Sequence, residues 1–262
     1  MSKMKTHFSI LPLTVGMFAI LSVLFAWYMA STYTSAALFF PNPIEVLTYF
    51  VKSLTTKIGK YNLTMHTLFS LKRVAVGFGL SSISGIILGV AMGYSKTINA
   101  LVRPLFNIIR PIPGLAWIPL AILWFGIGET TKHFIIFMGG FANIVLNSYD
   151  GTVKVNPTLE GAARLLGAND VKVFFHVILP SATPYIFAGL QVSLSTSWMA
   201  VLAAEMISSY EGAGWIINMG MQTGDTTLIL VGMVAIAVVG FLLANIMRIL
   251  ERSLCSWTIR GR

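Results

Sequence analysis

Charge is scarce in this sequence. Asp, Glu, Lys and Arg make up only 10% of its 262 residues, where soluble domains carry roughly 25%. So few charges cannot cover a water-facing surface, which excludes a soluble globular fold. Cysteine is almost absent as well. Cys255 alone rules out an intrachain disulfide framework and a cysteine metal site. The four histidines, His7, His66, His133 and His176, show no metal-ligand spacing such as H-E-x-x-H. No G-x-x-x-x-G-K-[ST] run is present, so the chain does not hold ATP in the Walker A manner.

What is abundant is apolar. Hydrophobic residues reach 56% and the mean hydropathy is +0.79. Runs long enough to cross a bilayer fall at about 9–30, 74–94, 100–127, 131–149, 184–207 and 227–249. The expectation is an all-α membrane protein of about six transmembrane helices, with 1–262 as a single transmembrane domain. The first run, 8–30, is longer than the 7–15 apolar residues of a signal peptide, so it reads as an uncleaved extra helix. Asn42-Pro43 opens an amphipathic piece, 44–54, suited to a short interfacial helix. Gly77, Ser81, Gly85, Gly89 and Gly93 recur every four residues and form a small-residue stripe for close helix packing. Arg110-Pro111-Ile112-Pro113 interrupts the third run. Residues 211–222 read as a Gly-rich loop.

The net charge is +9. The cations sit at span ends rather than in one aromatic-interleaved patch, which points to anionic lipid and not to nucleic acid. With the N-terminus in the cytoplasm, the inside set holds twelve Lys and Arg: Lys3, Lys5, Lys96, Arg103, Arg110, Lys154, Arg164, Lys172, Arg248, Arg252, Arg260 and Arg262. The outside set holds six: Lys52, Lys57, Lys60, Lys72, Arg73 and Lys132. This bias predicts both termini inside a cell membrane.

The longest later polar interruption, 150–180, carries the functional signal. Pro157 suits a helix start, Gly167 a helix end and Asn169 a second N-cap, predicting two short helices at 157–166 and 169–177. Leu159, Ala162, Ala163, Leu166, Val173 and Phe174 make this cytoplasmic element amphipathic, a surface for a soluble partner. Ala162-Ala163, three residues, Gly167, nine residues and Val177-Ile178-Leu179-Pro180 resemble the signature of permease subunits of binding-protein-dependent ABC importers. Gly161 fills that family's glutamate position, and Glu160 stands one place earlier. Phe40-Pro41-Asn42-Pro43, Ser70-Leu71-Lys72-Arg73-Val74, Arg110-Pro111-Ile112-Pro113, Ala116-Trp117-Ile118-Pro119-Leu120, Leu123-Trp124-Phe125-Gly126-Ile127-Gly128 and Ala204-Glu205-Met206-Ile207 look like its nitrate/sulfonate/taurine branch.

The resemblance implies a MetI-like ABC permease fold that is not itself an enzyme. It implies a homodimer, two copies of a separate ATPase that hold the ATP and Mg, and an external substrate-binding protein. No cofactor belongs to this chain. The element 155–180 becomes the coupling region, with Glu160, Gly161, Ala162, Ala163, Arg164, Gly167, Ala168, Leu179 and Pro180 as its ATPase-coupling residues.

Polar side chains inside spans are costly and face a cavity or another helix. Candidates for a translocation path are Asn143, Asn147, Gln191, Ser195 and Ser197. The alternative for each is interhelical hydrogen bonding. Ser193 and Ser197 share one helix face, Gln191 and Ser195 another, so at least one face is packing. Lys72 and Arg73 stand at the outer end of the second run, either drawing an anion into an outer vestibule or snorkelling to headgroups. Glu205 is the one acid well inside a span, a structural hydrogen-bonder or a gate. The expected function is the permease of an ATP-driven importer for a small anion such as a sulfonate, taurine or nitrate. A secondary transporter of small organic anions is the rival, lacking here an intramembrane acid–histidine relay and an inverted repeat. A membrane enzyme would need a cluster of titratable groups that the sequence does not show.

Overall fold

The computed structural model describes residues 10–34 and 40–255. Lys3, Lys5, Arg260 and Arg262 of the charge count lie outside them. Helix α1 (Ile10–Tyr33) leads to α2 (Pro43–Ser53), a two-residue hairpin of β1 (Lys57–Ile58) and β2 (Tyr61–Asn62), and α3 (Leu63–Tyr94). Then come α4 (Lys96–Ile109), a 3-10 turn (Gly114–Trp117), α5 (Ile118–Phe125) and α6 (Glu129–Val153). The rest is α7 (Pro157–Leu165), α8 (Asp170–Val173), a π turn (Phe174–Ile178), α9 (Leu179–Ser208), α10 (Ala213–Thr223) and α11 (Thr226–Leu254).

The core is α6 held between α3 and α9. The small-residue stripe makes the first contact. A methyl group on Gly77 would lie 2.7 Å from Ile136, one on Gly85 2.9 Å from Ile144 and one on Gly89 2.7 Å from Ser148, and Gly93 abuts Thr152 in the same way. Each pair is separated by the same 59 positions, so α3 and α6 run parallel. Larger side chains would force the backbones apart, and with lipid outside no hydrophobic drive would restore the contact. On its other side α6 runs antiparallel to α9. Ser193 donates to the Gly140 carbonyl at 2.8 Å and Ser197 to the Ile136 carbonyl at 3.2 Å.

The parallel register has a topological consequence. Residue 94 lies at one end of the pair and residue 129 at the other, separated by about 36 Å of helix rise. The segment between them must travel back along the bundle, and α4 and α5 do this with an 84° bend. Pro111 and Pro113 enforce the bend, because neither offers an N–H to continue the helix. Among the described residues, four helices (α1, α3, α8 through α9, and α11) are long and apolar enough to cross a membrane, five with the bent pair. The remaining predicted span, 131–149, lies in α6, a 25-residue helix that buries Thr131, Lys132, Ser148 and Thr152.

Three expectations need correction, and one feature is new. The second span begins at Leu63 rather than residue 74, because the Asn62 side chain caps it, accepting from the Met65 N–H at 3.0 Å. Residues 213–223 form helix α10 rather than a loop. The second of the two short helices expected at 157–177 is no separate element; it continues through the π turn into α9. The stretch before α3 contains a hairpin, paired Lys57 to Asn62 and Ile58 to Tyr61.

The periphery is looser. Val46 of α2 is buried with Leu63, Ile216, Leu228 and Val231, which docks α2 against α11. Only 6% of α1's apolar window is buried. It is tethered near its end, where the Trp27 indole donates to the Pro41 carbonyl at 3.2 Å.

Candidate translocation path and coupling surface

At the end of the bundle where α3 begins, charge is buried and paired. Arg73 is 2% exposed. Its Nε and Nη2 form a fork on the Glu129 carboxylate, both at 2.8 Å. Nη1 reaches Glu205 Oε1 at 2.8 Å and the Glu211 carbonyl at 3.0 Å, and Nη2 also reaches Glu211 Oε1 at 3.1 Å. A guanidinium has five N–H donors, and all are taken. Lys132 adds contacts to Glu129 at 2.8 Å and Ser209 at 3.1 Å. Two cations therefore face three carboxylates, drawn from α3, α6, α9 and the α9–α10 turn.

The same cluster starts α10. The free N–H groups of a helix N-terminus need acceptors. Gly212 donates to His66 Nδ1 at 3.1 Å, Ala213 to the Ser70 hydroxyl at 2.9 Å and Gly214 to Glu205 Oε2 at 3.0 Å. Since Nδ1 accepts, His66 Nε2 carries the proton and donates to the Ile58 carbonyl at 3.0 Å. Gly212 has φ +113° and presses against the Glu205 carboxyl group, so both backbone shape and space demand glycine there. Glu129 lies just outside the apolar stretch 131–149. Its hydrogen bonds to Arg73 hold its carboxyl down to about 2.

This geometry corrects the outer-vestibule expectation for Arg73. A buried guanidinium with every donor used has none left for a passing anion, and it is too deep to snorkel. Lys72, beside it on α3, is exposed.

In the middle of the core, Asn143 donates to Thr196 at 3.5 Å, and Asn147 donates to the Asn143 carbonyl at 2.8 Å while packing on Gly189. Both remain half-buried. Gln191 donates to Glu251 of α11, and Ser195 is exposed. Ser197 is removed from the path, because it is fully buried against α6. The Ser193/Ser197 face is the packing face.

At the opposite end, α7 and α8 form a hinge-like surface. The Asn156 side chain accepts from the Thr158 N–H at 2.9 Å, and Pro157 occupies the first turn. Arg164 pairs with Glu160 at 3.1 Å and with Asp170 at 2.7 Å, joining the helices across Gly167. Gly167 takes φ +85° and ends α7, while the Ala168 N–H returns to the Ala163 carbonyl at 3.0 Å. Gly161 and Ala162 are exposed, and Ala163 and Ala168 half-buried. Leu179 and Pro180 are half-buried in the first turn of α9. Leu165 and Leu166 are 91% and 89% exposed. Val173, expected on the partner-facing side, is instead 1% exposed, and Phe174 packs edge-on to Tyr94 at 5.1 Å.

Sequence reasoning missed Leu165, and also His66, Ser70, Glu129, Lys132 and Glu211 as one cluster. The available signal was the placement of these charges beside apolar runs. Their partners lie as many as 146 positions apart.

Residues 82–255 match the family described as binding-protein-dependent transport system inner membrane component. A putative ABC transporter permease of Methanocaldococcus jannaschii is 35% identical over 232 residues, 88% of this chain and 87% of that protein. The taurine transport system permease of Escherichia coli is 34% identical over 250 residues, 94% and 89%. The bicarbonate transport system permease of Synechococcus elongatus is 32% identical over 253 residues, 92% and 88%. A chain of an inward-facing methionine ABC transporter superposes with TM-score 0.60 at 20% identity, covering 73% of this chain and 96% of that one. A chain of an amino acid ABC transporter gives 0.59 at 16% identity, covering 81% and 95%. A bundle of apolar helices with an exposed helix–glycine–helix element, matched by these sequences and folds, belongs to the binding-protein-dependent transport system inner membrane component family.

Proposed function

We propose that this chain forms, as a homodimer, the membrane path of an ATP-driven importer for a small anion of the sulfonate, taurine, nitrate or bicarbonate kind. Two copies of an ATPase subunit bind the inner face and hold ATP and Mg there. An external binding protein delivers the cargo. Both termini, and the α7–α8 element, lie in the cytoplasm.

The observation that carries this reading is the pair of leucines at the tip of α7, Leu165 and Leu166, standing free on an element continuous with α9. Apolar side chains so exposed at a membrane protein's aqueous end suit a groove on a soluble partner. The Arg164 bridges keep α7 and α8 as one piece, and the π turn joins that piece to a 30-residue helix of the core. Closure of the ATPase pair on ATP then pushes a stiff lever, and α9 carries the displacement toward the binding-protein side. Substrate choice rests chiefly with the binding protein, since the half-buried path residues Asn143 and Asn147 are neutral.

The test is reconstitution of the chain with its neighbouring gene products in liposomes. ATP-dependent accumulation of labelled taurine or bicarbonate that requires the loaded binding protein carries the reading. Accumulation driven by an ion gradient with the chain alone sinks it.

A further inference from the structure

At the α7–α8 end of the bundle, a cleft of about 110 Å³ opens between α4 and the last turns of α6. Its polar lining is Arg103, Asn107, Arg110, Tyr149 and Asp150, over an apolar floor that includes Phe106 and Val145. The cleft has about four times the volume of a liquid water. It is small, polar and strongly basic, and the path residues do not account for it.

The three α4 residues are spaced i, i+4, i+7 and so share one helix face, with the two arginines about 10 Å apart along the axis. The opposite face of α4 carries Leu101, Leu105 and Ile108, which are 74%, 61% and 70% exposed. Arg103, Asn107 and Arg110 are themselves exposed, and they line the cleft beside α6 on the side of α4 away from the leucine face.

Neither arginine has a carboxylate partner among the described residues. The ion pairs there are made by Arg73, Lys132, Lys154 and Arg164. Arg103 Nη1 donates to the Tyr149 hydroxyl at 3.3 Å, and its guanidinium lies over that ring at 5.7 Å, which fixes its orientation. Arg110 and Asn107 have no side-chain partner. The one acid of the cleft, Asp150, is already engaged by Lys154 at 3.1 Å. The donors of Arg110 and Asn107 thus line the cleft without a side-chain acceptor among the described residues.

The geometry points to an oxyanion-binding site here, taking a sulfonate, sulfate, phosphate or carboxylate group in the forks of Arg103 and Arg110, with Asn107 donating between them. Guanidinium forks match such groups through paired, charge-assisted hydrogen bonds. The same chemistry has two sources, a free anion on the cytoplasmic side or the phosphate of an anionic phospholipid. The site stands on the cleft's own residues and does not depend on the transport reading.

The experiment is equilibrium binding of radiolabelled inorganic sulfate to the full chain in phosphatidylcholine nanodiscs. In parallel, mass spectrometry counts phosphatidylglycerol retained through purification. Saturable sulfate binding is expected, weakened about tenfold or more by either Arg103→Gln or Arg110→Gln and unchanged by Arg248→Gln on α11; that assigns a free anion. Absence of sulfate binding, with phosphatidylglycerol held by the natural chain and lost from both variants, assigns a lipid headgroup to the same site. Insensitivity of both ligands to the two substitutions overturns the site. So does equal weakening by Arg248→Gln, which marks diffuse surface charge. Where the arginine variants fail to fold, Asn107→Leu replaces them; sulfate or lipid binding several-fold weaker in that variant supports the site, and unchanged binding overturns it. Uptake by the full transporter is a separate readout, so continued uptake with neither ligand bound removes this site and leaves the permease reading intact.

Discussion

The two ends of the α3–α6–α9 core handle charge in opposite ways. At the Arg73 end, five ionic side chains and the hydroxyls of Ser70 and Ser209 satisfy one another. They tie three long helices to the start of α10. At the α7–α8 end, Arg103 and Arg110 lack counter-ions, Leu165 and Leu166 lack cover, and the ion pairs that exist are exposed. A buried network is expensive to disturb, since removing one partner strands the others in low dielectric. An exposed arrangement can be rearranged at small cost. One end is thus built to keep its helices in register, and the other to meet something outside the chain.

The largest test of that contrast is Arg73→Ala. Glu205, 0% exposed, would then be buried without its counter-charge, and we expect a loss of about 3–5 kcal/mol, read as a large drop in melting temperature in lipid nanodiscs. Arg73→Lys should fall between, because an ammonium cannot form the fork on Glu129. A drop below about 1 kcal/mol would mean the network behaves as surface pairs do. Next is Leu165→Asp combined with Leu166→Asp. These side chains touch little in this chain, so the melting temperature should hold. ATPase activity stimulated by the loaded binding protein should fall tenfold or more, the size of an interface hot spot; unchanged stimulation would place the ATPase contact elsewhere.

Gly167→Val is smaller in stability and sharper in meaning. At φ +85° a β-branched residue costs about 1–3 kcal/mol locally, with no neighbouring atom to clash. Membrane insertion should be normal and uptake abolished. Normal uptake by this variant would show that the α7–α8 turn is not a lever. The smallest effect concerns pH. Glu129 is held to about 2 from an ordinary 4.5. A lowered carboxyl stabilises the fold above its ordinary value and loses that contribution as pH falls through the folded one. The natural chain should therefore lose its advantage over Glu129→Gln between about pH 4.5 and 2. Its side chain is 53% exposed, so screening keeps the difference modest. Parallel melting curves across that range measure it, and a constant gap would count against the pairing.

Much of the architecture was legible because the relevant physics is local or periodic. The every-fourth small residues of α3 announced a close helix contact, and they make one with α6. Pro157, Gly167 and Asn169 announced a helix start, a break and a second N-cap, and each holds that position. Pro111 and Pro113 announced a broken span. The failures share a different cause. Arg73 read as a vestibule cation or a headgroup-snorkelling one because nothing beside it in sequence shows that Glu129, Glu205 and Glu211 will meet it. Residues 213–223 read as loop because their helix depends on acceptors from His66, Ser70 and Glu205. Ser197 read as a path residue because hydropathy counts a polar side chain without showing that Ile136 offers it a carbonyl.

By itself, the sequence determined that this is a helical membrane protein with an exposed two-helix element and no nucleotide loop. Hydrophobic length, helix caps and proline sterics act over a few residues and need no partner. Tertiary structure alone decided which charges are buried, that α3 and α6 run parallel and so force the α4–α5 segment back along the bundle, and that Arg103 and Arg110 line a cleft beside α6. Those outcomes depend on which distant backbone carbonyl, carboxylate or helix face arrives beside each side chain. In a medium that supplies no water, that neighbour is the only available source of hydrogen bonds and counter-charge.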